Sequence, residues 1–157
     1  MFTKEDRSTF PYWFAHWCAY NMTALNLKCW KFKYLFHDIE KPFLKLFLQY
    51  KDVQTWHRKH NKHHPEWLEH KIEECEKYYE FEEIPKLIED YDYEGTLIDW
   101  ECSRFTKISQ PLDAKGEFKR VFNKEYFSKK YPHIKRFCYR DFYESMEKSL
   151  IKIGLNK

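Results

Sequence analysis

His37 and Asp38 are adjacent in the run LFHDIEKP, and further residues able to hold a metal stand at separated positions: His16, a knot of His57, His60, His63 and His64, and Asp99. An adjacent imidazole and carboxylate offer one nitrogen and one oxygen donor from a single turn of backbone. That pair suits a borderline or hard divalent cation better than a thiolate-seeking one. A catalytic cation needs several convergent ligands and an open position, and helices can supply them from distant points of a chain. Taken singly, Asp38 could cap a helix and His37 could be a hydrogen-bonded core histidine. That reading explains each residue but not the set. Asp99 follows Leu97 and Ile98, so its carboxylate needs a partner or a cation to offset desolvation.

In the knot, His57, His60 and His64 are spaced i, i+3, i+7, and Pro65 turns the chain out of helix at His64. His57 and His64 are expected to hold a second metal or a phosphate. His60 and His63 are expected to support other ligands or to lie on the surface. Lys41, one turn beyond Asp38, can set an ammonium against a phosphate. Arg104 is a weaker candidate for anion binding. Trp56 and Trp100 flank ligand positions, and core packing is favoured over stacking on a base. His70 and His133 fall on amphipathic stretches and are expected at the surface.

The elements that must position these groups are helices. The chain has 157 residues, which fits one domain, and its 20% aromatic content with only 3 glycines disfavours turn-rich β architectures. Helical spacing runs from Pro11 to about Cys29 through Phe14, Trp17, Asn21 and Leu25, with His16 inside. A short helix is expected from Trp30 to Asp38. Another starts at Pro42 with Phe43, Leu46, Phe47 and Tyr50 facing inward. The next runs to about Asn61. Pro65 opens a helix to Phe81 with the stripe Leu68, Ile72, Cys75 and Tyr79. Pro85 opens one with Leu87, Ile88 and Tyr91, which Gly95 interrupts before Ile98 and Cys102 resume the pattern. Residues 107–116 read as a loop. Two helices follow, one with Phe118, Val121, Phe122 and Tyr126, the other from Ile134 to Leu150, with Gly154 as a C-cap.

The net charge of +3 is spread over 34% charged residues rather than gathered in a tail, so nucleic acid is not indicated as a partner. Five scattered cysteines without a C-x-x-C pair suit a reducing compartment and small buried roles. The first ten residues hold no apolar leader, and no later run reaches the length of a membrane span. The expected setting is cytoplasmic, with no membrane partner.

The order His16, His37-Asp38, the histidine knot, then Asp99 resembles the HD-domain superfamily of metal-dependent phosphohydrolases. The match is similar in more detail to a small bacterial and phage family described as a domain of unknown function. Its members carry an early His, then motifs like H-D-x-S-K-F, H-x-x-x-N-P-H-H and D-W. Here these stand as His16, HDIEKP, His57 with Asn61 to His64, and Asp99-Trp100, across residues 12–106. Glu40, Pro42 and Lys62 depart from the family's Ser, Phe and Pro. The resemblance implies a compact, single-domain, all-α HD-like bundle over 1–157, with C-terminal helices over 113–154. It implies one or two divalent ions, whether Mn, Fe, Zn, Mg, Co or Ni, held by His16, His37, Asp38 and Asp99, with His57 and His64 at a second position. Lys41, His57 and His64 would act on a nucleotide or other small phosphoester, and a homo-oligomer is compatible. Two alternatives stay open: a di-iron oxygenase of the HD type, and a non-catalytic module binding a nucleotide or a protein.

Overall fold

Prolines and short polar side chains set most helix starts. In a computed structural model that describes residues 2–3, 5–107 and 112–157, Thr9 accepts the Tyr12 amide and Pro11 sits in the first turn of α1 (Phe10–Asn26). A 3-10 turn (Phe32–Phe36) and α2 (Glu40–Leu44) lead to α3 (Tyr50–His60) and, with Pro65 in its first turn, α4 (Pro65–Lys77). Then come α5 (Ile84–Asp90) and α6 (Tyr93–Thr106), the latter capped by Asp92. α7 (Ala114–Val121) and α8 (Lys124–Lys130) are capped by Asp113 and Asn123, and α9 (Pro132–Phe137) and α10 (Tyr139–Lys152) close the chain. The fold is an all-α single domain, 75% helical, with no strand among the described residues. No described helix is long and apolar enough to cross a membrane.

α6 lies between two apolar clusters. On one side Leu97 joins Leu68, Ile72, Phe127, Ile134, Phe142 and Met146 from α4 and α8 to α10. On the other, Ile98 and Cys102 meet Tyr20, Ala24 and Tyr34. Each fully buried large side chain contributes roughly 1.5–3 kcal/mol. The second cluster fixes α1 along α6, and with it His16 opposite Asp99.

Several expected elements differ. α1 ends at Asn26, where Lys28 turns left-handed (φ 56°), and its buried face is Tyr12, His16, Tyr20 and Ala24, while Phe14 and Leu25 are exposed. The helix expected to carry Phe43, Leu46 and Phe47 inward stops at Leu44, and all three are exposed; the Tyr50 side chain lies outside the described residues. The first segment, 30–38, is helical only as a 3-10 turn. α4 stops at Lys77, leaving Tyr79 exposed with φ 57°. Gly95 does not interrupt a helix. The break falls at Tyr91, and the Gly95 amide donates to Asp92 Oδ1 (3.0 Å), where a Cβ would collide with that carboxylate. The two expected C-terminal helices are four: the first is divided after Val121, where Asn123 caps α8, and the second after Phe137, where Cys138 leaves helical geometry (φ −154°, ψ 25°) before α10. Of the expected loop, 108–111 lie outside the described residues. Gly154 closes α10 at φ 81°, with the Leu155 amide donating to Leu150 O. All five cysteines are free, Cys75, Cys102 and Cys138 buried.

Candidate metal centre

Three parts of the fold meet at the site, the facing pair α1 and α6, the 35–38 segment and the corner between α3 and α4. His16 and Asp99 face each other from the middles of α1 and α6, with His16 Nε2 2.9 Å from Asp99 Oδ1. The 35–38 segment is pinned onto α1 by indoles: Trp17 Nε1 donates to Leu35 O and Trp13 Nε1 to Asp38 O, both at 2.9 Å. Tyr20 stacks on the His37 ring at 3.6 Å. Asp38 adopts φ 54°, a left-handed backbone uncommon for a residue with a side chain and frequent at functional sites. The third piece is the corner between α3 and α4. Its His63 carbonyl lies 2.7 Å from the Thr96 hydroxyl of α6, and the Asp92 amide donates to Lys62 O.

These pieces bring His16, His37, Asp38 and Asp99 together as the order of motifs predicts, and they bring in the knot as well. Potential ligand atoms fall into two groups, His16, His37 and Asp99, and Asp38, His57, His63 and His64. Asp38 joins them. Its Oδ2 is 3.5 Å from His37 Nε2 and 3.7 Å from His16 Nε2, and its Oδ1 is 3.1 Å from His57 Nε2 and 3.4 Å from His63 Nε2. Within the groups, His16 Nε2 and His37 Nε2 are 3.1 Å apart, and His57 Nε2 and His64 Nε2 2.9 Å. Donors about 2.1 Å from a shared cation stand about 3.0 Å apart at right angles and about 3.4 Å at tetrahedral angles. The observed separations, 2.9 to 3.7 Å, bracket that range. The donor chemistry fits too: Asp38 Oδ1 and His63 Nε2 are buried, lie near one another and near His57, and make no well-aligned hydrogen bond among the described residues, a state that costs stability unless something else satisfies them. A buried His/Asp cluster of this kind could hold a metal ion.

His57 is oriented from behind. Its Nδ1 pairs with the Glu40 carboxylate, which also accepts from Asn61 Nδ2 at 3.0 Å, and Asn61 Nδ2 donates to His57 O at 2.7 Å. That leaves Nε2 to face Asp38. Lys41 Nζ lies 2.8 Å from Asp38 Oδ2. With His16 and Asp38 it borders a cleft of about 150 Å³ that also takes in Lys45 and the rings of Phe10 and Trp13.

Burial lowers the His37 pKa to about 4 despite Asp38 and Asp99, and lowers that of His64 with help from the His63 and His57 charges. Both are thus neutral and able to ligate near pH 7. Burial opposes protonation of His63 too, but Asp38 and Asp99 outweigh it and raise its pKa. Asp38 and Asp99 stay well below the usual carboxylate range. Burial works against this in each, and it is outweighed at Asp38 by His37, His57 and Lys41, and at Asp99 by His16 and His37.

Two expectations change. His63 is neither peripheral nor on the surface; it is buried and faces Asp38, because the turn before Pro65 points it inward. His133 is half-buried and joins α9 to α4 through Glu69 (2.7 Å). His60 is exposed and stacks on Trp56 at 4.2 Å. His70 contacts Glu74, and Arg104 pairs with Glu101. Trp100 packs against the main core. Glu40 entered the sequence reading only as a departure from a motif, yet it holds His57; its spacing from the knot gave no signal. No family model matches the chain, and neither the curated proteins nor the solved structures hold a match.

Proposed function

We propose that the chain is a metal-dependent phosphohydrolase related to the HD-domain superfamily, acting on a nucleotide or other small phosphoester. The observation that carries this reading is Asp38, which turns one oxygen to each of two histidine groups, the arrangement a carboxylate takes between two cations. His16, His37, Asp38 and Asp99 would hold one ion, and Asp38, His57, His63 and His64 the other. Bound divalent cations would polarise a phosphoryl oxygen and lower the pKa of water. The chain's own groups supply the rest. Lys41, at the cleft edge beside Asp38, offsets negative charge on the phosphoryl group, with Lys45 close by. His64, next to His57, borders a second cleft with Asp99 and Lys107, where the Lys107 side chain adds positive charge toward a bound anion. Glu40 keeps the His57 tautomer fixed. Support for the HD relation is the order of the motifs together with their meeting in one buried cluster.

The test is a screen of nucleotides and generic phosphoesters with metal-loaded, chelated and Asp38→Asn protein. Turnover that needs metal and disappears in Asp38→Asn is expected. Ligand binding without turnover in the loaded protein would instead favour a non-catalytic module. The three-histidine second group also suits iron, and the oxygenase alternative predicts bound iron and oxygen uptake with an organic substrate.

A further inference from the structure

The connection between α1 and α3 carries apolar side chains that nothing in the fold covers. Phe47 is 84% exposed, Leu46 76%, Phe32 68% and Phe43 65%. The 42–45 stretch that carries Phe43 lies beside α1, where Pro42 and Lys45 line a cleft with Trp13. Trp13 and Trp17 hold the 35–38 segment against α1, next to the exposed rings of Phe10 and Phe14, which stack at 6.5 Å. Phe10 and Pro42 line one cleft together. Exposed apolar surface gathered in this way marks an interaction site rather than ordinary scatter.

Charge selects the occupant. Residues 27–51 hold six lysines, at 28, 31, 33, 41, 45 and 51, and only two carboxylates, Asp38 and Glu40. Both carboxylates are committed inward, to Lys41 and to His57. Lys31 and Lys33 reach Glu94 and Asp92 on α6. Lys45, which lines that cleft, is exposed and makes no ion pair among the described residues, as is true of Lys28 and Lys51 in the same stretch of chain, the last beside the exposed Asp52. A second copy of the chain docked by its own face would set these lysines against one another. We propose that this face seats on an anionic lipid bilayer, with Phe43, Leu46 and Phe47 in the headgroup and upper acyl region and the lysines among the headgroups. The apolar run is far too short to span a membrane, but interfacial insertion requires only about 5–10 Å of depth. Each unpaired lysine adds roughly fivefold in partition to an anionic surface.

The test is co-sedimentation of the full chain with vesicles of phosphatidylcholine alone and of phosphatidylcholine and phosphatidylserine in equal parts, at low and high salt. Pelleting with the mixed vesicles, weakened by salt and slight with the neutral ones, is expected. The double variant Leu46→Ser/Phe47→Ser should lower partition on the order of a hundredfold while circular dichroism and melting stay as in the parent. Binding to neither vesicle, or equally to both, would overturn the proposal. So would unchanged binding in the double variant, or a solution dimer that this variant turns to monomer, which would give the face to a second copy.

Discussion

At the scale of the residue, Asp38 concentrates the site's demands. Its left-handed backbone suits Asn nearly as well as Asp, whereas Ala there adds about 1 kcal/mol of strain. Asp38→Asn is therefore the cleaner removal of the charge. It is expected to keep the helical spectrum, lose metal and reduce turnover by orders of magnitude; retention of stoichiometric metal would make the residue structural. His63 and His60 form a matched pair of controls. His63→Ala should empty the second group of metal, while exposed His60→Ala should change stability by less than about 0.5 kcal/mol and leave metal content intact. Glu40→Gln, which touches no expected metal position, should weaken metal affinity roughly 10–100-fold by loosening His57. Equilibrium competition with a chelating dye measures the metal binding of all four variants.

At the scale of the element, legibility followed the strength of the local signal. Pro11 and Pro65 begin helices because they cost little in a first turn, and Gly154 ends one because only glycine takes its φ freely. The pattern of α1 misled because, of its aromatic residues, only Tyr12 and Tyr20 are buried. The indoles of Trp13 and Trp17 serve as donors to a loop, and the face that packs is built from Tyr12, His16, Tyr20 and Ala24. No local rule distinguishes a tryptophan that packs from one that pins. The cap Asn123 divides what reads as one longer helix, since the apolar spacing continues across the break, while Asp113 starts α7 inside the stretch that reads as a loop. Asp113 accepts the Gly116 amide at 2.7 Å, so Asp113→Ala should cost about 1 kcal/mol, a fall of about 2–4 °C in the melting midpoint.

At the scale of the whole molecule, the order of the candidate donors was readable, and the meeting of His16, His37, Asp38 and Asp99 followed from it. The inward turn of His63 was not, because it depends on Thr96 and α6 holding the corner from thirty residues away in sequence. Assembling the site from three segments also ties stability to proton binding. His37, at about 4, and His64 have folded pKa values below the free value near 6.5. As pH falls below about 6.5 the unfolded chain takes up these protons first, so metal-free protein loses stability toward pH 4, partly offset by His63, whose pKa is raised. Melts in chelator should show a midpoint that falls from pH 7 to pH 5, and bound metal should raise the midpoint at pH 7 and steepen the decline, because it keeps more imidazoles unprotonated in the folded chain than in the unfolded one.

The most direct measurement is the metal stoichiometry of the chelated, then reloaded, protein and of its His16→Ala, His63→Ala and Asp38→Asn variants. The bridged centre predicts two ions per chain in the parent, loss of one in each histidine variant, and loss of both in Asp38→Asn, whose carboxylate both groups share. Parent protein that binds no metal, or a single ion that His63→Ala leaves in place, would contradict it.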